Sequence, residues 1–123
     1  MGLFDFLKGG KDFAAQYAKL AENGNVDKLI KLASNGKTVE QIKAAFAAIA
    51  TMKPNPDLIK CAMDALKGDN SEIRLAAAQA LSKIATKPQT EQLLHYAEVD
   101  ADEQVKAALK AAAVAAKERT PRW

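Results

Sequence analysis

The side chains in this chain that could do chemistry are few and stand far apart. His95 is the single histidine and Cys61 the single cysteine. Neither has a Cys or His partner at metal-ligand spacing, which excludes a zinc finger, and one cysteine excludes an internal disulfide. His95 lies in "EQLLHYAEV" and Cys61 in "LIKCAMDAL", both with helical apolar periodicity. The first reads as a partly buried structural histidine and the second as a small core residue. Carboxylates recur in pairs, Asp69 with Glu72 and Asp100 with Glu103, at the three-residue spacing of a helix capping box, which accounts for them without catalysis. No nucleophile stands beside a base and no glycine loop is built to cradle phosphate. The expectation is a protein that is not an enzyme and has no catalytic residue, metal or cofactor.

The elements that hold these residues are helical. Apolar residues make up 49% of the chain, and 26 residues are alanine, the best helix former, against 6% aromatic residues. A core of this composition needs helices that approach closely. At 123 residues the chain fits one domain that folds without staples. The formal charge of +3 is spread along the whole length, which bears on solubility more than on partners. No apolar run is long enough to span a bilayer and no signal peptide opens the chain, so the sequence reads as cytoplasmic.

Capping signals place three helix starts, at Thr38 with Gln41, Asp69 with Glu72, and Asp100 with Glu103. Behind each comes a branched apolar residue and then a base: Ile42 and Lys43, Ile73 and Arg74, Val105 and Lys106, the third pair one residue late. A shorter amphipathic segment precedes each, "NVDKLIKLAS", "PDLIKCAMDALKG" and "PQTEQLLHYAEV", with Pro54, Pro56 and Pro88 separating one pair from the next. The chain therefore reads as three helical hairpins, 25–53, 54–86 and 87–117, each too small to bury its own apolar face. Such units stack into a solenoid. Upstream, residues 1–24 form an amphipathic segment and a capping helix, with Phe13, Tyr17, Leu20 and Ala21 on one face. Residues 118–123 form a tail, broken at Pro121 and frayed at Trp123.

"DNSEIRLAAAQALSKIA", "DADEQVKAALKAAAVAA" and, more loosely, "TVEQIKAAFAAIA" resemble HEAT repeats, in particular the short bacterial kind shared with phycobilisome-lyase-type domains. The resemblance covers about residues 25 to 117. It implies an all-α, right-handed α-α superhelix and says little of function, since the family holds scaffolds, transport factors, chromophore lyases and DNA-repair enzymes. It also implies a ladder between repeats, made by an Asp at the turn and a base five residues later. Asp69 and Arg74 keep that spacing, whereas Thr38 lacks a carboxylate and Asp100 stands one residue too far from Lys106, so an incomplete ladder is expected.

In such solenoids the second helices line the concave recognition face. Helical geometry puts Leu75, Ala78, Gln79 and Ser82 opposite the core stripe of the middle repeat, with Ala44, Ala47, Ala48 and Thr51 before it and Ala107, Lys110, Ala111 and Val114 after it. Lys43, Arg74 and Lys106 fall along one margin. The expected partner-binding residues are Lys43, Ala47, Arg74, Leu75, Ala78, Gln79, Lys106, Lys110 and Val114. A shallow apolar groove of this kind suits a partner helix or peptide, which makes the chain an interaction module or small adaptor, with self-association as a further possibility. A nucleic-acid-binding role and a tetrapyrrole or lyase-related role are the alternatives. The nearly uncharged face argues against nucleic acid. Leu3, Phe4, Phe6 and Leu7 form an accessory apolar cluster that could pack on the solenoid, meet a partner or touch a membrane, and its length and balanced charge disfavour the membrane.

Overall fold

The structure, a computed structural model, describes residues 13–122. Seven α-helices follow one another: α1 (Phe13–Glu22), α2 (Val26–Asn35), α3 (Val39–Ile49), α4 (Pro56–Ala65), α5 (Ser71–Ile84), α6 (Thr90–Val99) and α7 (Glu103–Lys117), with a 3-10 turn at Lys87–Gln89 ahead of α6. No strand occurs among the described residues, and no helix there is long and apolar enough to cross a membrane. The cluster Leu3, Phe4, Phe6 and Leu7 and the terminal Trp123 lie outside the described residues.

Helices α2/α3, α4/α5 and α6/α7 pair as antiparallel hairpins, and α1 packs across α2 and α3 at one end. The hairpins stack in chain order, with α3 against α5 and α5 against α7. Second helices can approach closely because their contact faces are mostly alanine: Ala45, Ala48, Ala77, Ala78, Ala80, Ala112 and Ala113 are all buried. The first helices stand further apart, and between α4 and α6 they leave an open cleft bordered by Ile59, Met63 and Tyr96. Close second helices and splayed first helices put α3, α5 and α7 on the inner side of the array.

Larger side chains fill the layer between the two helix rows. Leu29, Phe46, Ile49, Leu58, Leu81, Ile84, Leu93 and Leu109 are each at most 1% exposed. Fully burying each of these leucines contributes about 1.5–3 kcal/mol. At the capped end Tyr17 is buried, its ring stacked 5.8 Å from that of Phe13, while Leu20 and Ala21 pack on the same core. The capping helix ends at Gly24, whose φ of +72° is a left-handed conformation that glycine adopts without strain.

The true helix caps correct two of the three expected starts. Thr38 is an N-cap with Gln41 closing the box, but α5 is capped by Asn70, one residue after Asp69, and α7 by Asp102, two residues after Asp100. Asn70 accepts from the N–H groups of Glu72 and Ile73 at 2.8 and 3.2 Å, and Asp102 from those of Gln104 and Val105 at 2.8 and 3.2 Å. Thr38, Asn70 and Asp102 are then evenly spaced at 32 residues, so Val105 and Lys106 match Ile73 and Arg74, and Ile42 and Lys43 are the pair that falls one residue late.

His95 also departs from expectation, because it is exposed. Leu93 and Ala97 take the core-facing positions of α6, and His95 projects outward beside Tyr96 with ring centroids 5.9 Å apart. Cys61 is half-buried against the core with its Sγ 3.6 Å from Ser34 Oγ. Burial pushes its thiol pKa up, against an opposing pull from the Ser34 hydrogen bond.

Candidate functional site: the inner face of the second helices

Between α3 and α5 runs a shallow groove bordered by Lys43, Phe46, Ala47, Ala50, Ala76 and Gln79. Helical spacing explains it. Residues 43, 47 and 50 form one stripe of α3, residues 76 and 79 one stripe of α5, and small side chains in both leave a channel between the helix axes. Ala47 and Gln79 are exposed, Ala50 and Ala76 half-buried, and Phe46 lies buried at the floor.

Of the residues expected to bind a partner, the structure brings Lys43, Ala47 and Gln79 together here. Ala78 does not belong to the surface. It is 0% exposed, because α5 lies packed between α3 and α7 and the close approach of the second helices seals it in. Leu75 is half-buried and packs on the core instead of standing at the groove centre.

Arg74 is not free to meet a partner, because its side chain is built into the fold. Its Nε and Nη2 donate to Asp100 Oδ2 and Oδ1 at 2.9 and 3.1 Å, and its Nη1 donates to the carbonyls of Gly68 and Asp69, both at 3.0 Å. The pair is 14% and 7% exposed. This is the rung between repeats, but its carboxylate comes from the following turn, and Asp69 takes part through its backbone carbonyl. Burial alone would raise the Asp100 pKa, but the hydrogen bonds and charge of Arg74 together with the Asp102 N–H outweigh it and hold the carboxyl below its usual range. The hydrogen bond to Asp100 outweighs the effect of burial on Arg74 and raises its pKa.

Lys43 makes an exposed link between the first two hairpins, with Nζ 3.1 Å from Glu72 Oε1. Such a surface pair contributes about 0–1 kcal/mol and yields readily to a competing ligand.

Lys106 and Lys110 stand elsewhere. With the 32-residue register, Lys110 is the counterpart of Phe46 and Ala78, and Lys106 the counterpart of Arg74. In the first two hairpins these positions face the next repeat. On α7 Lys110 is exposed and Lys106 Nζ lies 3.8 Å from Glu103 Oε2. Val114 is 69% exposed on the same helix, apart from the α3/α5 groove.

A second depression escaped the sequence reading. Lys53 and Pro54, just beyond α3, line it together with Glu118, Arg119, Thr120 and Arg122. The tail is held there by Arg119, whose Nη1 donates to Ala85 O at 2.8 Å and Nη2 to Ser82 O at 2.6 Å, while Lys87 N donates to Arg119 O at 2.9 Å. The tail is docked at least through Arg119. Turn and tail residues carry no periodicity from which this could have been read.

The described residues contain no group of His, Cys, Asp and Glu that could hold a metal ion. The HEAT repeat family model matches residues 26–113, from the start of α2 into α7, and the chain belongs to that family. HEAT repeats generally mediate protein–protein interaction. No curated protein and no solved structure matches the chain.

Proposed function

We propose that this chain is a non-catalytic interaction module whose α3/α5 groove docks a helix or extended peptide of a partner protein. The observation that carries this reading is the groove itself: an apolar floor of Phe46 and alanines, open to solvent and edged by Lys43 and Gln79. A helix laid in such a channel would bury its apolar face without disturbing the layer beneath. The small side chains leave room for a partner's larger ones.

A photo-crosslinking side chain placed at Ala47 or Gln79 in the native host, compared with one at Lys110 on the far end of the stack, tests the assignment. Discrete adducts from 47 and 79 and none from 110 are expected. Adducts from 110 alone would move the docking surface off the groove. Ala47→Arg should abolish the adduct from position 79 while leaving the helical circular dichroism unchanged.

A further inference from the structure

The two ends of the groove differ in charge. At one end Lys43 is answered by Glu72. At the other, Ala50 of the groove stands three residues before Lys53, a reach of about 10 Å, and Lys53 opens the depression closed by Arg119 and Arg122. That depression carries three cations against one carboxylate, Glu118. The Arg119 guanidinium is occupied by the carbonyls of Ser82 and Ala85. Lys53 and Arg122 are exposed and pair with no described carboxylate.

An apolar channel that ends in unpaired cations selects an oriented ligand. The C-terminal end of a helix bears partial negative charge, and an acidic side chain or free carboxylate there adds a full one. A guanidinium and an ammonium at the channel's end meet that charge, the former with two parallel hydrogen bonds. Seven helical steps from Lys43 to Ala50 cover about 10 Å, and the further reach to Lys53 brings the span to between about 15 and 20 Å, the length of roughly ten to thirteen helical residues.

We infer that the Lys53 and Arg122 pocket anchors the acidic C-terminal end of a partner segment of roughly ten to thirteen residues, whose apolar face lies in the α3/α5 groove and whose last turn carries Asp, Glu or a free carboxylate. The inference rests on the docking reading of that groove. The partner segment runs parallel to α3 and α5.

Selection of a displayed library of random twelve-residue peptides with free C-termini against the full chain tests it, followed by fluorescence anisotropy of the most enriched peptide made as the C-terminal acid and as the amide. Enriched peptides should carry an apolar stripe at helical spacing and acid in the final turn. Lys53→Glu and Arg122→Glu should each weaken binding about tenfold, with unchanged circular dichroism and a strong dependence on salt.

Peptides blocked by Ala47→Arg but indifferent to both charge reversals would overturn the anchor and leave the groove standing. Failure to enrich any peptide sensitive to Ala47→Arg would overturn both. If a single-stranded oligonucleotide bound and lost affinity on Arg122→Glu while the peptides did not, the pocket would belong to phosphate and the inference would fall.

Discussion

Arg74 and Asp100 stand 26 residues apart in sequence and grip each other through two parallel hydrogen bonds of 2.9 and 3.1 Å, tying the second hairpin to the turn of the third. Both side chains are largely out of water. The same guanidinium closes the α4–α5 turn through Gly68 and Asp69, so one residue fixes a loop and a repeat interface together.

Acid should undo this link. The folded-state pKa of Asp100 lies below its unfolded value, so its contribution is fully present above about pH 4 and is lost as pH falls through the folded value. Arg74, with its pKa raised, stays charged throughout that range and adds no slope there. Asp100→Ala should cost about 3 kcal/mol at neutral pH, since it leaves a mostly buried guanidinium short of its partner. Urea midpoints measured from pH 7 to 2.5 should show the wild type losing stability on acidification more steeply than the variant. Parallel profiles would show that Asp100 does not carry the acid sensitivity.

The docked tail supports the middle hairpin. Arg119→Ala removes two charge-assisted hydrogen bonds from the last carbonyls of α5 and should lower stability by about 2 kcal/mol. Arg119→Lys should recover only part of this, because one ammonium lacks the fork that spans Ser82 and Ala85. Thermal melts of the three proteins check the order, and equal melting temperatures would show that the tail is not holding α5.

Two turn glycines should respond in opposite ways. A Cβ on Gly36 would stand 2.6 Å from Leu32 O and 2.7 Å from Ile42 Cγ1, while one on Gly68 would meet nothing nearer than Ala65 O at 3.5 Å. Gly36→Ala should cost about 1–3 kcal/mol through crowding. Gly68→Ala, at a residue without positive φ, should be neutral or stabilise by about 0.4–1 kcal/mol. Chemical denaturation of both variants tests the contrast.

Residue types and spacing were enough to read three hairpins, an N-terminal capping helix and an all-helical fold, because alanine content, proline breaks and the 3.6-residue period act locally. Two helix starts were misplaced for a specific reason. In "DNSE" and "DADE" two successive cap-forming side chains compete within one turn, and the Glu three residues on picks the wrong Asp. Asp100 is set before its helix to serve Arg74, a role fixed only when two repeats meet. The groove was half legible. Its α3 edge follows from periodicity, but whether Ala78 faces solvent depends on how near α7 comes, and the Arg119 contacts join segments with no shared pattern.

The Arg119 contact also sets an order of assembly during synthesis. Chains grow from the N-terminus, and α5 is made before the residue that satisfies its final carbonyls, since Ala85 precedes Arg119 by 34 positions. Until then the end of α5 must rely on water. The middle of the array is therefore completed late, and a nascent chain stalled short of residue 119 presents its second hairpin unfinished to chaperones and proteases.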